Sequence, residues 1–162
     1  MGLLFNIAKS IYEAVKSKNE SQKTTQTNSS YQYPKIERTE EEWIAYFREI
    51  LTTEFTQYTI QECVPVQNLA GYVSEEFKLY EGRPTQAYRA EWGRPYDFVL
   101  SQNGQPKGLV MLGKAHYHDN KVKYLISRMY AQKMGLPYIK FYTQFSNKRD
   151  YVIQRINSFM HQ

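Results

Sequence analysis

What the chain lacks narrows the field first. Its 162 residues include one cysteine, Cys63, so no internal disulfide framework can form, and small secreted domains usually need such staples. No apolar run approaches the roughly 20 residues that a membrane-spanning helix requires. The N-terminus makes a poor signal peptide, because Lys9 and Glu13 interrupt its apolar stretch. Myristoylation at Gly2 needs Ser or Thr at position 6, where Asn6 stands. Residues 107–149 are nearly without acids: nine Lys or Arg face Asp119 alone, whereas residues 1–106 carry 11 basic and 14 acidic side chains. These absences predict a soluble, cytoplasmic protein with one strongly basic segment. That segment is the electrostatic footprint of a polyanion partner, or else a solvated basic surface.

Hydrophobic residues make up 41% of the chain and aromatics 15%, with 15 tyrosines, enough for one domain with a core. Leu4, Ile7, Ala8, Ile11, Tyr12 and Val15 recur at helical spacing and predict a short amphipathic helix over 3–16. Residues 17–35 are almost wholly polar and read as a flexible linker, so the folded domain is expected over 36–162. The N-terminal helix must bury its apolar face on its own domain, on a second copy as a homo-oligomer, or on a membrane surface.

Within the domain, Thr39 and Glu42 form a capping-box pattern, and Trp43, Phe47, Ile50 and Leu51 make the apolar stripe of the helix that follows. Glu54 falls on that same stripe unless the helix frays by residue 53. Thr59–Val64 reads as a strand, with Cys63 as a small buried hydrophobe. Residues 65–93 are hard to read, though 77–79 and 86–90 suggest a hairpin. Two apolar runs, 94–100 and 108–114, flank an Asn103-Gly104 turn and predict a second hairpin. Asp119 or Asn120 can cap a helix buried through Val122, Leu125, Ile126 and Met129, which Gly135 ends. The strand over 137–143 should run parallel to an earlier one, because a helix intervenes. Asn147 can cap a last helix, buried through Val152, Ile153, Ile156, Phe159 and Met160. The fold class is α/β (α+β), a mixed sheet flanked by helices, in the order helix, strand, hairpin, helix, strand, helix.

Asp97 opens one apolar strand of the second hairpin and Lys114 closes the other. Together with the element order, this resembles the core of the restriction-endonuclease-like, or PD-(D/E)xK, nuclease superfamily. There an aspartate on one strand and a Glu-x-Lys on its neighbour hold a divalent metal and a water. The resemblance implies that Asp97 is a metal ligand and Lys114 the catalytic lysine, while the glutamate position holds Leu112. Phosphodiester hydrolysis uses a divalent ion to lower the pKa of water, and Mg²⁺ or Mn²⁺ takes oxygen ligands from more than one carboxylate. Either another acid is relocated to the site, with Glu54 on the first helix the candidate, or the site no longer cleaves. Asp97 also fits a residue that caps backbone N–H groups at a strand entry, and Lys114 an ordinary strand-end lysine.

For nucleic-acid binding the candidates are Lys121, Arg128 and Gln132, spaced seven and four apart along one helix face, with His116 at the rim. Tyr117 and Tyr124 are candidate stacking partners for bases. His116 and His118 lack the further ligands that a zinc site needs. Three readings follow. The chain is a degenerate nuclease-fold protein that binds DNA, RNA or a protein partner; an active metal-dependent endonuclease using Asp97, Lys114 and Glu54; or a self-assembly module acting through residues 3–16.

Overall fold

The computed structural model describes residues 37–161; the helix expected at 3–16 and the linker at 17–35 lie outside them. Helix α1 (Glu40–Glu54) starts where Thr39 and Glu42 satisfy each other. The Thr39 hydroxyl accepts from the Glu42 N–H and the Glu42 carboxylate accepts from the Thr39 N–H, each at 3.2 Å. Trp43, Phe47, Ile50 and Leu51 form its buried stripe. Strand β1 (Thr59–Val64) and the short helix α2 (Val66–Ala70) follow. Strands β2 (Ser74–Phe77) and β3 (Gln86–Arg89) pair as a separate two-stranded sheet, close to the hairpin expected there.

The main sheet has strand order β1-β4-β5-β6, with β4 (Tyr96–Gln102), β5 (Gln105–Gly113) and β6 (Tyr138–Tyr142). Asn103 and Gly104 join β4 to β5 with φ of 53° and 74°, the left-handed pair that a two-residue hairpin turn needs. β1, β4 and β5 pair antiparallel, whereas β5 and β6 run parallel. The crossover between those two contains α3 (Ala115–Asn120) and α4 (Val122–Lys133), and α5 (Arg149–Met160) closes the fold. This is a mixed sheet flanked by helices. One face packs on α1 and α5 through Phe47, Ile50, Leu51, Val152 and Ile156 against Phe98, Leu100, Val110, Leu112, Ile139 and Phe141. The other packs on α4 through Tyr124, Ile126, Tyr130 and Ala131 against Tyr96, Val99, Leu109 and Met111.

Four local expectations are replaced, the first being Val122, expected in the buried stripe of α4 and found 46% exposed at its first turn. Asp119 and Asn120 do not cap α4; they end α3, and the α4 N-cap is Lys121, extended and without a side-chain cap. The extra helix carries His118 into the core, buried with its Nε2 3.0 Å from the Phe141 carbonyl. Asn147 does not cap α5, whose N-cap is Lys148. It takes φ of 47°, which asparagine tolerates better than most residues, and its amide donates to the Tyr142 and Phe145 carbonyls at 2.8 and 3.1 Å. Cys63 is exposed with φ of 50°. It lies between the Glu62–Phe98 and Val64–Tyr96 pairs, so the strand kinks there and turns the thiol outward.

Candidate functional site

Strand direction decides what can meet at one end of the sheet. β5 and β6 both finish there, and β4, antiparallel to β5, starts there. That end therefore holds Asp97, Leu112 and Lys114. The start of α1 is tied to the same end by long-range bonds: Arg38 donates to the Ser146 carbonyl at 3.3 Å, and the Tyr46 hydroxyl donates to the Asn147 carbonyl at 2.8 Å.

Asp97 is 9% exposed. One carboxylate oxygen accepts the Leu112 N–H at 2.7 Å, and the other lies 3.6 Å from the Arg94 guanidinium. Arg94 in turn sits over the Tyr124 ring, 4.9 Å from its centroid. The Tyr124 hydroxyl donates to the Leu112 carbonyl at 3.1 Å, so both backbone groups of Leu112 are held by side chains. Gly113 makes the approach possible, since a Cβ there would meet the Tyr124 hydroxyl at 2.8 Å. Asp97, Leu112, Tyr124 and Arg94 thus close a ring of contacts. Burial pushes the Asp97 carboxyl above its usual range; the Leu112 N–H and Arg94 oppose that shift, and the charge of Glu40 adds to it.

The expected site residues separate into two groups. Asp97, Leu112 and Lys114 share the end of the β4–β5 pair. The Leu112 side chain belongs to the α1–α5 core at 5% exposure. Glu54, the expected replacement acid, is exposed at the C-terminal end of α1 and bonded to Arg149 at 2.8 Å. Glu49 shares that arginine, and the two carboxylates raise its pKa. The acid whose charge reaches Asp97 is Glu40, in the first turn of α1, about 21 Å along the helix from Glu54 at 1.5 Å per residue. Glu40 stood in the sequence as a first-turn acid, which suits any helix start. Its influence on Asp97 depends on the start of α1 being held at this end of the sheet, through contacts between residues about a hundred positions apart.

Metal fit can be judged from the donors. A hard divalent ion competes for its oxygen ligands with bulk water and is normally held by more than one carboxylate. Here one Asp97 oxygen is taken by an N–H and the other faces a guanidinium. Among the described residues no group of three or more His, Cys, Asp or Glu is placed to hold an ion. The donor set does not fit a resident Mg²⁺ or Mn²⁺.

The basic segment divides as well. Lys133 pairs with Glu75, Lys140 with Asp119 and Arg149 with Glu49 and Glu54. Lys107, Lys114, Lys121, Lys123, Arg128 and Lys148 have no acidic partner among the described residues. Lys107 lies toward the opposite end of β5, about 24 Å of strand from Lys114. Lys121 occupies the α3–α4 corner rather than the helix face shared by Arg128 and Gln132. Its ammonium lies 3.8 Å from the Tyr117 ring centroid, and that of Lys114 lies at 6.0 Å. His116 is exposed, its Nδ1 3.2 Å from the Asn120 amide. Burial lowers the pKa of His118, consistent with a neutral ring on the Phe141 carbonyl. Tyr124, buried in the ring of contacts, is not offered to a base; Tyr117 is half-buried. Comparison of the chain with protein-family models, with curated proteins and with solved structures finds no match.

Proposed function

We propose that this is a restriction-endonuclease-like domain that binds nucleic acid at the basic end of its sheet and does not cleave through Asp97. The strand senses support the first part: three antiparallel strands, a helical crossover and a fourth strand parallel to the third, behind an N-terminal helix. One observation carries the second. The Asp97 carboxylate is engaged within the protein, by the Leu112 N–H and by Arg94, and Leu112, at the position the resemblance gives to the second acid, turns its side chain into the α1–α5 core on the other face of the sheet. The aspartate now holds two strand ends in register and a guanidinium in place.

Lys114, Lys121 and Lys123 cluster around the α3–α4 corner at the same end, and a phosphate backbone is the polyanion they suit. The test is the salt dependence of DNA and RNA binding by the full chain. Affinity should fall steeply with salt, and removing each of the three lysines should lower the slope of log K against log salt by roughly one. Failure to bind either nucleic acid at low salt, or binding indifferent to all three substitutions, would overturn the reading.

A further inference from the structure

The loop between β6 and α5 lines a half-open pocket of about 270 Å³ formed by Tyr142, Phe145, Ser146, Asn147, Lys148 and Tyr151. The loop is tied to the residue after Lys114, since the Gln144 side chain accepts the Ala115 N–H at 2.8 Å. Two of its aromatic rings are exposed where burial would be expected, Phe145 at 60% and Tyr151 at 49%. Phe145 and Tyr142 meet in a T-shaped pair, with ring centroids 6.3 Å apart and planes at 68°, and most of the Phe145 ring remains in solvent. The loop is also held in shape: the buried Asn147 bonds two of its carbonyls, and Arg38 and Tyr46 bond two more. Lys148 stands at the rim without an acidic partner among the described residues.

We propose that this cavity takes an unpaired base of single-stranded nucleic acid, stacked on Phe145 and Tyr151, with Lys148 and Lys114 on the flanking phosphates. The proposal rests on the nucleic-acid reading above and adds the strand state to it. A planar base fits a half-open aromatic pocket of this volume, and the lysine at its rim suits a backbone running past it. A base stacked inside a duplex cannot enter such a slot.

The experiment measures binding of the full chain to a fluorescent 12-nucleotide single strand and to the matching duplex. Wild type, Phe145→Ala, Tyr151→Ala and Lys148→Ala are compared across salt. The single strand should bind more tightly than the duplex. Phe145→Ala should weaken single-strand binding roughly tenfold at unchanged salt slope, since stacking carries no counterion release. Lys148→Ala should lower the slope by roughly one. Single-strand binding indifferent to both aromatic substitutions would overturn the base slot and leave the phosphate-binding reading standing. No binding of either strand form would overturn both.

Discussion

The two faces of the sheet are built from different chemistry. Against α1 and α5 the buried apolar side chains are Trp, Phe, Ile, Leu and Val, with Tyr46 and Tyr58 partly buried at the margin. Against α4 the layer includes Tyr96, Tyr124 and Tyr130, whose hydroxyls reach the carbonyls of Ser127, Leu112, Val73 and Tyr88, with Asp97 and Ser127 also buried. The dry face needs only volume and shape. The tyrosine face carries polar atoms that mostly find partners, and it is where pKa values are displaced: burial raises Tyr96, Tyr124 and Tyr138 as well as Asp97. Stability should therefore be concentrated on the first face and pH sensitivity on the second.

The largest effect should come from opening the dry face. Phe47, fully buried and 4.8 Å from the Phe141 ring centroid, should cost about 3–5 kcal/mol when changed to Ala, read by denaturant unfolding. On the tyrosine face, Gly113→Ala drives a methyl against Tyr124 and should cost about 1–3 kcal/mol by overpacking; a smaller loss would mean that Tyr124 can step aside.

Asp97→Asn should act through pH. Its folded pKa is raised, so the native state holds this proton more tightly than the unfolded chain does. The associated stabilisation is complete below the ordinary value of about 3.9 and is lost as pH rises through the folded value. Wild type should therefore lose stability relative to Asp97→Asn between pH 4 and neutrality, and melting curves that stay parallel across that range would contradict the burial argument. The smallest effect is Tyr138→Phe. The Tyr138 hydroxyl is buried without a hydrogen-bond partner among the described residues, so its removal should be neutral or stabilise by up to about 1 kcal/mol. Tyr96→Phe, which gives up a 2.7 Å bond to the Ser127 carbonyl, should instead cost about that much.

Local signals proved the most legible. The capping box at Thr39, the Asn103-Gly104 turn and the helical stripes are short-range patterns, and each marks an element close to where it forms. Asn147 misled because an asparagine before a helix serves equally as a cap or as a left-handed loop residue, and only the carbonyls of Tyr142 and Phe145 decide between them. Cys63 misled because nothing in β1 announces its kink. At the site, the apolar stripe of α1 pointed to Glu54, yet Arg149, 95 residues away, holds that carboxylate at the surface. The charge of Glu40 reaches Asp97 because the α1 start docks on the loop after β6, and no local pattern carries that docking.

The most direct measurement of the central claim scores binding and cleavage in one set of samples: supercoiled plasmid and a labelled single strand, with Mg²⁺ or Mn²⁺, against wild type, Asp97→Asn, Glu40→Gln and Glu54→Gln. Nucleic acid should be retarded but uncut, with the same result for all four proteins. Divalent-dependent cleavage by wild type that is lost in Asp97→Asn would contradict it; further loss in Glu40→Gln or in Glu54→Gln would show which acid completes the site.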